Sequence, residues 1–188
     1  MLLRVNGNWA CVVTESGAGH CWAPVPQDQS IEPLPAGVYS DVATDMSSAH
    51  CGIDGEGEIL CGVGVCRPDP AVPGELLPCV DERGWDTTRN EPVRWRERVG
   101  TGPGGPFVKV RMAPISLFMC ALRPNGVLEC WGEAYESIRV QEPDDMFIDF
   151  GVGTSHVCAV TLGGEVRCWG EIHPGGDDWG QLAPPAWP

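Results

Sequence analysis

The chain has 188 residues, a formal net charge of -14, 25 glycines, 18 prolines and ten cysteines, a length that suits one domain with a real core. That charge repels phosphate backbones and anionic headgroups, which excludes nucleic acid as a partner class, and no apolar run approaches the roughly 18 residues that membrane insertion requires. Glycine and proline interrupt aliphatic runs of three to six residues, which excludes long helices and points to an all-β chain.

In chain order, the opening MLLRVNGNWACVV lacks the basic, apolar and small-residue regions of a secretory signal. Its apolar run predicts a strand over Leu2 to Val5, and further short strands are predicted over Val38 to Val42, Phe107 to Val110 and Phe147 to Phe150. After each comes a segment bounded by cysteines ten positions apart: CVVTESGAGHC from Cys11 to Cys21, CGIDGEGEILC from Cys51 to Cys61, CALRPNGVLEC from Cys120 to Cys130 and CAVTLGGEVRC from Cys158 to Cys168. β-Forming residues stand outside and turn formers inside, so each segment predicts a hairpin.

If the cysteines of a segment lie opposite each other, the hairpin tips are Glu15-Ser16-Gly17, Gly55-Glu56-Gly57, Pro124-Asn125-Gly126 and Leu162-Gly163-Gly164. The third tip residue is glycine every time. A three-residue hairpin loop commonly ends on a left-handed residue that forms a G1 bulge, a conformation glycine adopts without a Cβ penalty. That register places the cysteines in a directly opposed pair with Cα atoms about 4.5 Å apart, inside the range a disulfide spans.

Four disulfides are therefore expected. Buried, reduced cysteines acting as small hydrophobes are the alternative, but they would not require the same paired spacing four times. A structural zinc site fits poorly, since no C-x2-C pair and no matching histidine set is present; no metal and no cofactor is expected. Cys66 and Cys79 are left to form a fifth bridge by elimination, across the Pro-rich CRPDPAVPGELLPC. Five bridges call for an oxidising compartment, extracellular or periplasmic. The expectation is that the chain is the mature or excised part of a secreted precursor.

Aligned on their first cysteines, the units start 40, 69 and 38 residues apart, a repeat with one insertion. The units run over about 1–36, 37–65, 107–145 and 146–188, with the insertion at 66–106. The last unit carries His156, Cys158, Ala159, Gly164, Cys168-Trp169-Gly170 and Gly180-Gln181-Leu182; the third carries Cys120-Ala121-Leu122, Gly126 and Cys130-Trp131-Gly132; the first keeps Cys11, Gly17 and Cys21-Trp22. In the second unit Gly62 stands where the others have tryptophan.

This pattern resembles the repeat of the regulator of chromosome condensation family, in a Cys-paired, extracellular, bacterial-like variant. The resemblance covers about three quarters of the chain. It implies a β-propeller in which each repeat builds one blade. Such propellers usually close with about seven blades, whereas four units are visible here, so the array is expected to be partial, to be completed by self-association, or to hide a degenerate fifth blade around Pro92 to Val99. An open array leaves a sheet face uncovered, which favours association over a bare monomer.

No G-x-S-x-G elbow, H-E-x-x-H or P-loop appears, and His20, His50 and His156 share no common register. His156 is read as a packing residue of the repeat, as are Trp22, Trp131 and Trp169. The acidic pairs Asp144-Asp145 and Asp177-Asp178 lack the alternating pattern of a calcium loop. Two places carry candidate binding residues: Trp85, Arg89, Arg94 and Trp95 in the insertion, where aromatic and arginine side chains suit an interface hot spot, and His173, Asp177, Asp178 and Trp179 in the last loop.

The expected function is a non-enzymatic, secreted, disulfide-stapled module that binds a protein or cell-surface ligand, its hairpins holding the loops in fixed geometry. Two alternatives stay open: an extracellular hydrolase or lyase using mouth carboxylates such as Asp177 and Asp178, and a structural segment of a larger surface protein.

Overall fold

The computed structural model describes residues 1–6, 9–22, 30–31, 34, 37–44, 49–63, 65–66, 103–114, 118–132, 135, 143–171 and 182–183. These residues form four three-stranded antiparallel sheets. The first contains β1 (Leu2–Asn6), β2 (Trp9–Val13) and β3 (Gly19–Trp22). After β4 (Ser30–Ile31), the second holds β5 (Tyr39–Thr44), β6 (Ala49–Asp54) and β7 (Ile59–Val63), and β8 (Val65–Cys66) then returns to pair with β4. The third is β9 (Lys109–Met112), β10 (Met119–Leu122) and β11 (Leu128–Trp131); the fourth is β12 (Phe147–Val152), β13 (His156–Thr161) and β14 (Val166–Gly170).

Each sheet has its cysteine-bearing strand in the centre, flanked by the preceding strand and by its own hairpin partner. The paired cysteines sit opposite one another in all four hairpins. Cα atoms are 4.0 Å apart in Cys11–Cys21 and Cys120–Cys130 and 4.1 Å apart in Cys51–Cys61 and Cys158–Cys168, and all four pairs are bonded. This close approach is that of a non-hydrogen-bonded antiparallel pair.

The tips follow from glycine. In the first hairpin the Thr14 N–H donates to the Ala18 carbonyl at 3.0 Å and the Gly17 N–H to the Thr14 carbonyl at 3.0 Å, and the other three hairpins repeat this pair of bonds. Gly17, Gly57, Gly126 and Gly164 adopt φ of 84°, 86°, 91° and 84°, where a Cβ is strained. Three-residue tips with a terminal left-handed glycine are thus the observed turns.

The sheets stack face to face in chain order. Between the first and second lie Cys11, Val13, Tyr39 and Val42; between the second and third, Cys51, Ile53, Phe107, Val110 and Met119; between the third and fourth, Cys120, Leu122, Phe147, Phe150, Val157 and Trp169. Each layer repeats one plan. The disulfide of one sheet faces forward, and the residue just before the next sheet's first cysteine packs on it: Met119 on Cys51–Cys61 and Val157 on Cys120–Cys130. Burial of this kind contributes about 25 cal/mol per Å² of apolar surface removed from water.

Burial along the central strands shows which sheets are enclosed. Met119, Cys120, Ala121 and Leu122 of β10 are all buried, so both faces of the third sheet are covered. In β13 only Val157, Ala159 and Thr161 are buried, and they face back towards the third sheet. In β2 the parity is opposite: Cys11 and Val13 are buried against the second sheet while Ala10 and Val12 are partly open. The stack therefore has two unlike ends.

The all-β architecture and four hairpin units follow the sequence expectation. The strip Pro92 to Val99, Cys79 and the rest of the insertion core lie outside the described residues. Trp22 differs from its expected packing role: it is 47% exposed, whereas Trp169 is 2% exposed and stacks on Phe147 at 5.9 Å between centroids. Its repeat position is the same, but among the described residues no other sheet encloses the face that carries it.

Candidate functional site

The first strands of the sheets (β1, β5, β9 and β12) lie side by side and carry a row of charges. Asp41 on β5 is buried, and it accepts from Arg4 Nη2 of β1 at 3.0 Å on Oδ1. Its Oδ2 accepts from Arg111 Nη1 at 2.7 Å and from the Val110 N–H at 3.0 Å, both on β9. Lys109 Nζ then donates to Asp149 Oδ1 and to the Ile148 carbonyl, each at 2.9 Å, joining β9 to β12. Arg111 also lies over the Phe150 ring at 5.7 Å. Charged groups thus link all four sheets along one edge.

The contacts of this row tie neighbouring sheets to one another. Asp41 has two guanidiniums and a backbone N–H for one carboxylate, so its charge is balanced and its oxygens are engaged. Burial pushes the Asp149 carboxyl up, but the Lys109 hydrogen bond, the Phe150 N–H and the charges of Lys109 and Arg111 outweigh it, and the net pKa is lowered. Asp149 stays ionised at neutral pH and acts as an acceptor.

An open cleft of about 530 Å³ lies where the first hairpin tip meets the second sheet. Buried Val13 and Tyr39 form part of its apolar lining, and Thr14, Glu15, Ser16 and Ser40 supply polar groups. The Tyr39 hydroxyl is pushed up by burial and by the nearby Asp54 charge, so it stays protonated as a donor.

Cys11, Cys21 and His50 come within 4.8 Å of one another, but both sulfurs are committed to the S–S bond and offer no thiolate to a metal. His50 is buried beside Thr44, whose Oγ1 lies 3.1 Å from Nδ1. His156 begins β13 with its ring against Gly153, where an added Cβ would come within 2.3 Å of it. Desolvation lowers its pKa, and its neutral ring packs as the repeat pattern implied. Asp145 pairs with Arg167 at 3.5 Å on the surface, and its neighbour Asp144 is exposed.

Trp85, Arg89, Arg94 and Trp95, together with His173, Asp177, Asp178 and Trp179, lie outside the described residues. So does the Cys66–Cys79 pairing, of which only the β8 position of Cys66 is described. The Arg4–Asp41–Arg111 link is not among the sequence expectations. Its partners are 37 and 70 positions apart, so no local spacing announces it. The available signal was the presence of charges within three short first strands: Arg4 in β1, Asp41 in β5, and Lys109 and Arg111 in β9.

No protein-family model and no curated protein matches the chain. Solved structures do. The CRINKLY WD40 ectodomain from the Arabidopsis thaliana receptor kinase ACR4 superposes with a TM-score of 0.53 at 18% identity, over 89% of this chain and 49% of that one. The ectodomain of the Physcomitrella patens receptor kinase CR4 (TM-score 0.42, 17% identity, 92% and 52% coverage) and human WBSCR16 (0.49, 14%, 90% and 47%) are further matches. The chain spans about half the length of these structures. Four stacked three-stranded sheets with their first strands along one edge, together with the ACR4 likeness, define the chain as a β-propeller array.

Proposed function

We propose that this chain is an extracellular binding module, non-catalytic, whose propeller presents loops to a protein or cell-surface ligand, and that its units are repeats of the regulator of chromosome condensation type. The observation that carries the reading is the disulfide across every one of the four hairpins. Disulfides persist in oxidising compartments, and a rung across each hairpin ties its two strands together, so the scaffold from which loops project is set before any ligand arrives, which lowers the ordering cost of binding. The repeat assignment draws on the CWG and CAL matches and on the glycine-ended tips. The matching ACR4 structure is itself an ectodomain, which agrees with this location.

Thiol trapping in cells that make the protein is the direct test. Lysed into an alkylating reagent, the chain should present Cys11, Cys21, Cys51, Cys61, Cys120, Cys130, Cys158 and Cys168 as oxidised pairs, and the purified oxidised protein should bind intact cells or extracellular material saturably. Recovery of these cysteines as free thiols would sink the extracellular reading, and absence of saturable binding would sink the module reading.

A further inference from the structure

Asparagine stands directly before glycine at two places, Asn6-Gly7 and Asn125-Gly126. Such a pair carries its own reaction: glycine has no Cβ, so its main-chain nitrogen can reach the preceding carboxamide carbon without a clash. Asn6 is restrained, because its Nδ2, the atom that would have to leave, donates to the Thr44 carbonyl at 2.8 Å on the next sheet. Asn125 instead stands exposed at the third hairpin tip, and its Oδ1 accepts from the Val127 N–H at 3.2 Å. That bond folds the carboxamide back along the Gly126 peptide and draws electron density from Cγ. The other tips have Ser16-Gly17, Glu56-Gly57 and Gly163-Gly164 at these positions, so one hairpin of the four holds this chemistry.

The surroundings of Gly126 decide what the reaction does to the fold. Its N–H donates to the Arg123 carbonyl at 3.0 Å, so the nitrogen becomes available only when the tip opens, and the rate follows that local opening. Its carbonyl accepts from the Phe147 N–H at 2.8 Å, the bond that seats β12 on the third sheet. Gly126 is buried, and a single added Cβ would lie 3.1 Å from the Phe147 carbonyl oxygen and 3.2 Å from Met146 Cβ. The joint therefore has no slack for a longer main chain.

We propose that Asn125 is a site of deamidation and isoaspartate formation, and that the isoaspartyl form unseats the fourth sheet from the third. Hydroxide takes the proton of the Gly126 nitrogen, which bonds to Asn125 Cγ; the Cγ–Nδ2 bond breaks, and ammonia leaves with a proton from water. The resulting cyclic imide then takes up one water. Attack at Cγ leaves an aspartyl residue with the main chain as it was, and attack at the Asn125 main-chain carbonyl routes the chain through Cβ and Cγ. Nothing is oxidised or reduced. The first product keeps an oxygen for the Val127 N–H. The second lengthens the main chain by one methylene beside Gly126 and pushes its carbonyl off the Phe147 amide.

The test is peptide mapping by mass of the full-length oxidised protein held folded in mildly alkaline buffer, with isoaspartate counted by enzymatic carboxyl methylation. Amide-to-acid conversion at Asn125 should outrun that at Asn6 several-fold, and the difference should shrink when the chain is held unfolded in urea. Chains bearing isoaspartate should unfold at lower urea than the parent. Asn125→Asp has the charge without the extra methylene and should unfold with the parent. Asn125→Gln should stay unmodified over the same period, since its longer side chain misplaces the amide carbon. An Asn125 amide that outlasts that of Asn6 in the folded protein, or isoaspartyl chains with the urea midpoint of Asn125→Asp, would overturn the proposal.

Discussion

The Phe147 amide donates to the carbonyl of Gly126 at 2.8 Å, and that glycine can accept it because its φ of 91° turns the carbonyl outward at the hairpin tip. Side chain and junction compete for the same space: a Cβ at Gly126 would lie 3.1 Å from the Phe147 carbonyl oxygen and 3.2 Å from Met146 Cβ. Gly126→Ala should cost about 1–2 kcal/mol from the left-handed conformation alone, plus the displacement of β12. Gly164→Ala has a similar backbone conformation but open space around it, so it should cost the first amount without the second. Urea midpoints of the two variants compare them, and equal losses would show that the Gly126 contact contributes nothing.

Removing a rung should cost more than removing a turn residue. Each disulfide closes a loop of sequence separation 10, for which chain entropy gives about 3 kcal/mol. Cys120→Ala with Cys130→Ala should lower stability by about that much, because Cys120 is also enclosed between the third and fourth sheets. Chemical denaturation of the double variant against the parent measures it.

Asp41→Asn should destabilise by about 2–3 kcal/mol. Stripping one partner from a buried ion pair costs roughly 3–5 kcal/mol, discounted here because the Arg4 and Arg111 side chains keep 27% and 20% of their exposure. The loss comes chiefly from leaving two guanidiniums without their shared carboxylate, so replacing all three charges by apolar residues of similar volume should recover much of it. Denaturation of Asp41→Asn and of Arg4→Met/Asp41→Leu/Arg111→Met decides between these accounts.

Acidification should weaken the fold in two stages. His156 has its pKa lowered by burial from the ordinary 6.5, so the unfolded chain takes up a proton first, and stability falls as pH drops below about 6.5 until the folded ring also titrates. Asp149 has a lowered pKa; its contribution is present above the unfolded carboxylate value and is lost as pH falls through the folded one. His156→Gln should remove the upper stage and leave the lower, as read from melting temperature against pH. A parent profile flat from pH 7 to 5 would contradict the assignment to His156.

The hairpins were legible because their determinants are local: a glycine at the third tip position and cysteines at fixed distance from it specify register within eleven residues. First strands were legible as apolar runs, although Asp41 and Asp149 stand just past β-bulges that apolar runs do not mark. Trp22 shows the limit of reading by repeat. Its motif matches Trp169, yet burial depends on a neighbouring sheet rather than on the motif. The Arg4–Asp41–Arg111 link was invisible for the related reason that stacking order, not sequence distance, brings it together. Of the candidate site, the cysteine rungs are legible in the sequence and the charged edge is not.

The seam between successive sheets is written in main-chain atoms, a glycine carbonyl and an incoming amide, and this has a consequence for how such a chain can change. CVVTESGAGHC and CALRPNGVLEC differ at most positions between their cysteines, yet each presents the same acceptor to its neighbour. Units joined this way can drift in nearly all their side chains, or be duplicated and deleted whole, without rewriting the joint. At this joint divergence is then tolerated in the side chains around one glycine per unit, which is how an assembly rule can outlast the sequence similarity of its parts.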